Sequence, residues 1–515
     1  MARRQTERHM DCFCNDIEFR YERAFPDIDR PYYTVQEELD EFQFGDSDFL
    51  MDICVLAYNH LDDKTALCVQ KILQYTKDIK FHLILVDNGS TDGTLEYFRN
   101  LDYSFKTIVH FSENTLPTYP ESNIHHYCKG KYVVRMGNDV IVTPNWYQSL
   151  LGAMERDPRC GVTIPCITNS AFFQAPKISD FSTLDELESI ASAFNHTDPM
   201  LWEERLAILP SLCMIRRSCL ERIGGFWDPT LVAYNDIDFS VRVRHAGYRL
   251  IICKDTMIHH NHIYTAENAL NASKHCLNST KFSTKHPGIH PWNDYTNFEP
   301  ILTALASQAP CPQQADLLGV EVKCGVPLLE LYNQLKGKGT VINSLSAYTT
   351  LGKYVSELST ICQDSVCCGP LDQIYSSFSG KKFSHILVGE PINLYTDPLA
   401  VLQSLYRLLK PTGKLVFKLY NCANAFALLA CFGARVRQDL ALYGRLVTFG
   451  QILDLFEHLG AELVQVETTK WDPNNEVVSV CENLIQAMPL IGKREIALDM
   501  VSTTQYIFCV EKGQD

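Results

Sequence analysis

From residue 51 to about 265 the chain alternates short apolar runs with amphipathic ones, and this alternation constrains its fold more than any other feature. "DICVLAY", "FHLILVDNGS", "TIVHFS" and "KYVVRMGND" have the length and β-branched content of strands. "KTALCVQKILQYT" and "TDGTLEYFRNL" repeat their apolar residues at helical spacing. Strands separated by helices pair in parallel, which predicts an α/β domain. Ligands of such sheets collect beyond the carboxyl ends of the strands. Asn59, Asp87, Asn88, Gly89, Ser90 and Asp139 all fall at those ends. A second series starts near residue 315, with "LLGVEVKCG", "GTVINSL", "FSHILVGEP" and "GKLVFKLYN" as strands and "DPLAVLQSLYRLLKP" as a helix. The expected organisation is an acidic N-terminal extension (1–48), a first α/β domain (49–265), a His-, Asn- and Pro-rich tail and linker (266–314), and a second, Rossmann-like α/β domain (315–515).

The 515 residues are 46% hydrophobic and 21% charged, a globular mix. A net charge of −15 argues against a general nucleic-acid binder. No apolar segment follows "MARRQTERHM", so no signal peptide is expected. The longest apolar stretch, "AFALLACFGA", is about half of the ~20 residues a membrane span needs. No transmembrane segment is expected, and the protein should be soluble. The twenty cysteines are scattered, many inside apolar runs, which is the pattern of buried reduced thiols. Cys12 with Cys14 and Cys367 with Cys368 lack the paired spacing of a zinc site. A reducing, cytoplasmic setting follows as an expectation.

Two strings carry chemistry. In "VDNGSTDGT" a strand delivers Asp87 into a turn, where its carboxylate can accept hydrogen bonds from a nucleobase. The plain alternative is a strand–turn–helix connection with a capping Ser90 or Asp92. In "YNDIDFSVRVRHAGYRL", Phe239, Val243 and Ala246 recur at helical spacing, and Asp236 and Asp238 stand at the mouth of the helix. They can be an N-cap and a dipole complement, or one of them can do chemistry.

At these strings the chain resembles the inverting family 2 glycosyltransferases of the GT-A fold. "CVLAYNH" looks like the first nucleotide-contacting strand, with Ala57 where the family often has Pro or Thr. "GKYVVRMGNDVIVTPNWYQSLL" resembles the metal-binding segment, "IGGFWDPTLVAYNDIDFSVRVRHAGYRL" the acceptor and base segment, and "MIHHNH" the site of a histidine near the metal. The resemblance implies a metal-dependent hexosyltransferase that moves a sugar from a nucleotide-sugar donor with inversion. It assigns Ala57, Tyr58, Asn59, Asp87, Gly89, Ser90 and Asn138 to the donor. It assigns Asp139 and His259 to a divalent cation, Mn2+ or Mg2+, and makes Asp236 the catalytic base. Gly225, Phe226, Trp227 and Asp238 take acceptor or structural roles. His260 and His262 share the other face of the same strand, and each of the three histidines can equally be structural. Gly137 stands where the family offers another acid, which leaves Asp139 as the one carboxylate of the turn. Asn235 likewise replaces an acid.

The second series resembles a class I methyltransferase, through "FSHILVGEPINLYTDPLAVLQSLYRLLKPTGKLVFKLYN" and "TFGQILDLFEHLGAELVQVE". Its cofactor loop "VEVKCGVP" keeps Glu321 and Gly325 but has Lys323 and Pro327 at expected glycines, and Asn343 is read at the position of the ribose-binding acid. S-adenosylmethionine is therefore not expected to bind, and the domain reads as degenerate. The acceptor can be a glycan, a lipid-linked sugar, a peptide or a protein, and self-association is left open. The alternatives are a bifunctional transferase and methyltransferase acting on a surface glycan, and a non-catalytic sugar-nucleotide-binding module.

Overall fold

The computed structural model describes residues 33–34, 49–168, 170, 174–228, 231, 234–261, 280–362, 365–425, 427, 445–472, 476–487 and 494–514. They fall into two units that divide between Tyr295 and Thr296.

The first unit is built on β1 (Tyr33–Thr34), β2 (Met51–Ala57), β3 (Phe81–Asp87), β4 (Lys106–His110), β5 (Tyr132–Gly137), β6 (Val140–Ile141), β7 (Cys160–Ile167), β8 (Trp202–Arg205), β9 (Leu212–Arg216) and β10 (Arg249–His260). Their spatial order is β1-β4-β3-β2-β5-β9-β7-β10-β6, with β8 beside β10. The β4-β3-β2-β5 run is parallel, as the alternation requires. β9 enters antiparallel to both β5 and β7.

Strand residues alternate between two cores, because side chains change face at every step. Met51, Ile53 and Val55 of β2 join Leu83 and Leu85 of β3 under the helices Ala66–Tyr75 and Gln148–Arg156. Cys54, Ile84 and Val86 face the other way, onto Leu220 of the helix Arg217–Ile223 and Phe239 and Val243 of the helix Asn235–His245. Burial on both faces explains why these strands read as continuous apolar runs. The described cysteines are all free and most are buried. Among the described residues no helix is long and apolar enough to cross a membrane. Most of "AFALLACFGA" lies outside the described residues.

The second unit holds β11 (Gln314–Val320), β12 (Val341–Thr349), β13 (Val366–Cys368), β14 (Phe383–Val388), β15 (Leu409–Tyr420), β16 (Glu462–Lys470) and β17 (Thr503–Glu511). Their order is β13-β12-β11-β14-β15-β17-β16, with β17 antiparallel to both of its neighbours. Counted within the unit this is 3-2-1-4-5-7-6, an open doubly wound sheet. The chain turns back between β11 and β14, which opens a crevice at their carboxyl ends. The helix Pro398–Leu408 is capped by Asp397, which accepts the N–H of Ala400 at 3.1 Å. Lys410–Gly413 forms a bulged start of β15, with Thr412 at φ 58°.

Candidate active site

The ends of β2, β3 and β5 meet in loops that are laced to one another. Asn59, held at φ 52°, donates its backbone N–H to Ser90 Oγ at 2.9 Å and accepts from Thr91 N at 2.9 Å. Asn138 donates to Thr65 Oγ1 at 2.8 Å and Asn59 O at 3.2 Å, and its own N–H reaches Leu56 O. Gly89 is at φ +75°, and a Cβ there would sit 2.3 Å from the carbonyl carbon of Glu113. That close approach seats the loop at 113–117. Asn88 fastens the loop from below, donating to Asn114 Oδ1 at 3.0 Å and Thr115 O at 2.8 Å.

The result is a cavity of about 440 Å³, bordered by Tyr58, Asn88, Asn114, Leu116, Pro117 and Asn138. Of the sequence-assigned donor residues, Tyr58 and Asn138 line it. Asn59, Gly89 and Ser90 brace its wall. Ala57 and Asp87 are fully buried. Asp87 is already engaged, accepting from Ser90 N at 3.0 Å and pairing with His110 Nδ1 at 2.7 Å. Sequence reading missed His110. The clue was its parallel register, since the last residue of β4 pairs directly with Asp87.

Asp139 lies one turn beyond β5, and its backbone oxygen accepts from Asn261 N at 2.8 Å. β6 pairs with the end of β10, matching His259 to Ile141 and His260 to Val140. This register corrects the expectation for His259. Its ring turns to Thr168, with Nδ1 2.6 Å from Oγ1, and packs edge-on against Phe181. Burial, with His260 adjacent, pushes its imidazole below the usual range. His260 is the residue that faces Asp139, with Nε2 3.5 Å from Oδ1. The two histidines are consecutive strand residues, so only one can point there. His262 lies outside the described residues.

No group of three or more metal-ligating side chains gathers among the described residues. A carboxylate facing an imidazole, both about one-fifth exposed, is still a donor pair that a divalent cation accepts when other oxygens complete its shell. A Cβ on Gly137 would come within 2.9 Å of Asp139 Oδ1, so the missing acid of this turn also leaves room for the one that is present.

The helix Asn235–His245 starts earlier than expected. Tyr234, at φ 62°, is its N-cap and makes no side-chain cap bond, so Asp236 is the second helical residue rather than the one preceding the helix. Asp236 Oδ1 accepts the N–H of Ile237 at 3.0 Å, and burial pushes its carboxyl up to about 6. Asp238 is fully buried under two cations and an imidazole. Arg242 Nε, Lys285 Nζ and His286 Nε2 each lie 2.8 Å from its oxygens. Despite its burial, these partners hold it well below the usual carboxylate range.

Phe226 packs on Phe239 at 4.5 Å and Trp227 at 4.2 Å. The Trp227 indole N–H donates to buried Glu121, which also pairs with Arg135. Gly225, at φ +108°, accepts from Arg242 Nη1 at 2.9 Å.

In the second unit a larger cavity, about 790 Å³, lies at the crevice between β11 and β14 and includes Glu321, Lys323, Thr350, Asp372, Glu390 and Tyr395. Glu321 accepts from Thr350 N at 2.5 Å, and burial beside Glu390 raises its carboxyl. Lys323 holds φ 54°, a conformation that strains a side chain where glycine was expected. The reading of Asn343 is corrected. It sits near the start of β12, bonded to Gln314, while the pocket end of that strand leads into Thr350 and Leu351. The end of β12 itself thus supplies Thr350 and Leu351 rather than an acid, with the Glu321 carboxylate set against Thr350 N.

Residues 52–224 match the model of the family described as glycosyl transferase family 2. The O-antigen biosynthesis protein RfbC of Myxococcus xanthus is 24% identical over 266 residues, 48% of this chain and 20% of its own length. The chain spans about a fifth to a quarter of the curated relatives it matches. Among solved structures, the mannosyltransferase PcManGT of Pyrobaculum calidifontis, held in complex with GDP-Man and Mn2+, is 17% identical. That match covers 63% of this chain and 82% of PcManGT, with a TM-score of 0.33. A Bacillus halodurans structure described as a methyltransferase is 15% identical over 41% of this chain and 98% of its own, with a TM-score of 0.29.

Proposed function

From the premise that residues 52–224 form a glycosyl transferase family 2 domain, we propose that the chain transfers a sugar from a nucleotide-sugar donor to an acceptor hydroxyl or amide, in a single displacement with inversion. The acceptor class stays as broad as glycan, lipid-linked sugar, peptide or protein, and the reduced thiols suit a cytoplasmic reaction. The observation that carries the reading is the contrast between two acids two residues apart. Asp238 is held by Arg242, Lys285 and His286, whereas among the described residues Asp236 receives the N–H of Ile237 and no ion pair.

Asp236 acts as the general base. An ordinary aspartate, near 3.9, is a weak acceptor for an acceptor proton, and burial that lifts it to about 6 brings it closer to working pH. The Tyr58 and Asn138 cavity takes the nucleotide. Asp139 and His260 are the residues that would hold a divalent cation. When bound, such a cation neutralises charge developing on a diphosphate leaving group. Phe226 and Trp227, braced by Glu121 and Arg135, form the wall on the acceptor side.

A thermal-shift screen of nucleotide sugars, in Mn2+ and in chelator, tests the reading. A donor that stabilises in Mn2+ and turns over supports it. No response from any donor refutes it and leaves a non-catalytic module.

A further inference from the structure

We propose that Lys285 is a positioning residue for the transferase site, so that region 280–295, beyond the family-matched residues, completes its acceptor side. This rests on Asp236 being the base. The segment contains a helical turn at 280–285 and buries Phe282, Ile289 and Tyr295. Phe282 faces the ring of Tyr234 at 6.3 Å, and Tyr295 OH accepts from Arg244 Nη2 at 3.3 Å. Tyr234 and Arg244 flank or belong to the helix that carries Asp236.

Lys285 Nζ lies 2.6 Å from Asp228 Oδ2 and 2.8 Å from Asp238 Oδ1. Asp228 follows Phe226 and Trp227 in the acceptor loop, and Asp238 is on the Asp236 helix. One ammonium therefore ties the loop to the helix. Arg242 makes a second tie, from Asp238 to the carbonyl oxygens of Ile223 and Gly225. Among the described residues no side chain bonds Asp236 to aim it, so its direction follows from how the helix sits against the loop. A reacting group misplaced by about 1 Å can lose about a hundredfold in rate. The fold does not depend on Lys285 alone, because Asp238 keeps Arg242 and His286 when Lys285 is replaced.

The test compares the full chain with Lys285→Met and Lys285→Arg. Hydrogen exchange is followed at 223–228 and 235–245 without ligand. Binding of UDP and of GDP is measured in Mn2+, and steady-state hydrolysis of whichever donor is turned over supplies kcat and KM. Lys285→Met should speed exchange at 223–228 by at least about tenfold and lower kcat by about tenfold. Nucleotide affinity and donor KM should stay within about twofold, and Lys285→Arg should recover most of kcat. Exchange and kcat both within twofold of wild type would overturn the proposal, as would no recovery in Lys285→Arg. A loss that falls on nucleotide binding instead of kcat would do the same. A wild-type chain that neither binds nucleotide nor hydrolyses donor refutes the function, and the exchange measurement then judges the tie alone.

Discussion

In the first unit the cavity at the strand ends is walled by loops that hydrogen-bond to each other, and Asp236, which accepts the N–H of Ile237, is not among the residues that border it. In the second unit the cavity is larger and its strand ends supply carboxylates, yet the turn that should let a ligand approach closely carries a lysine in a strained conformation. Both pockets sit where doubly wound sheets place ligands. The sheet thus makes the cavity, while the loop side chains decide whether anything fits. Loop chemistry, not topology, separates a site expected to work from one expected to be silent.

The largest expected effect sharpens this within a single helix. Asp238→Asn leaves Arg242, Lys285 and His286 facing a neutral group in a buried place, a break that typically costs about 3–5 kcal/mol. Chemical denaturation should register it as a fall in midpoint. Asp238 is held low in the folded state, so its stabilisation is present above the unfolded value near 4 and is lost as pH falls through the folded one. Wild type and variant should therefore converge in acid. Equal midpoints at neutral pH would remove Asp238 as the structural anion.

Asp236→Asn should do the reverse. Turnover should drop by about two orders of magnitude, the usual worth of a positioned base, with donor binding kept. Because burial lifts the folded carboxyl to about 6, the folded state holds a proton that the unfolded state has released between about 4 and 6. Stability from this group falls as pH rises through that window. The variant should then be as stable as wild type in acid and somewhat more stable at pH 7. In wild type, kcat should rise through about 6. A variant with near-normal turnover on a verified acceptor would reduce Asp236 to a first-turn helix acid.

A smaller effect separates the histidines. Donor-dependent stabilisation should need a divalent cation and vanish in Asp139→Ala, and His260→Ala should weaken cation affinity by about tenfold, whereas His259→Ala should change it little. Titration of Mn2+ by electron paramagnetic resonance reads this directly. Equal losses in both histidine variants would mean that the strand register is not what selects between them.

Much of this was legible in the sequence because it rests on runs of residues. Buried parallel strands are continuous apolar strings, so β2, β3, β5, β11, β14 and β15 could be read directly. Asp236 and Asp238 were legible as acids at the mouth of a helix, but it is their side-chain partners in the structure that set them apart. What failed was pairing. Alternation says that His259 and His260 face opposite sides, but only the match of β10 to β6 says which side holds Asp139. Asn343 was misplaced because "GTVINSL" gives no sign that its strand runs six residues further, to Thr349. Lys285 was hidden because Phe282, Ile289 and Tyr295, the residues that seat its segment, are few and lie among histidines, asparagines and prolines.

The smallest expected effect is no effect at all, and it tests the other side of the comparison. S-adenosylmethionine and S-adenosylhomocysteine should leave the melting temperature unchanged and give no calorimetric heat. Three features of the second pocket argue for this. The strand end that would meet a ribose offers Thr350 and Leu351, which have no charge to hold a diol. Lys323 lines the cavity and adds an ammonium where a sulfonium ligand brings cations of its own. Pro327 opens the following helix, where its ring and missing N–H replace the glycine that would let a ligand lie against the backbone. Carboxylates at Glu321, Asp372 and Glu390 pull the other way, since they would favour a cation. Glu321, however, is already occupied by the N–H of Thr350, and burial raises its carboxyl. Micromolar binding would show that those acids outweigh the lysine. It would break the contrast between the two sheets and revive the bifunctional reading, whereas a flat titration keeps ligand chemistry in the first unit.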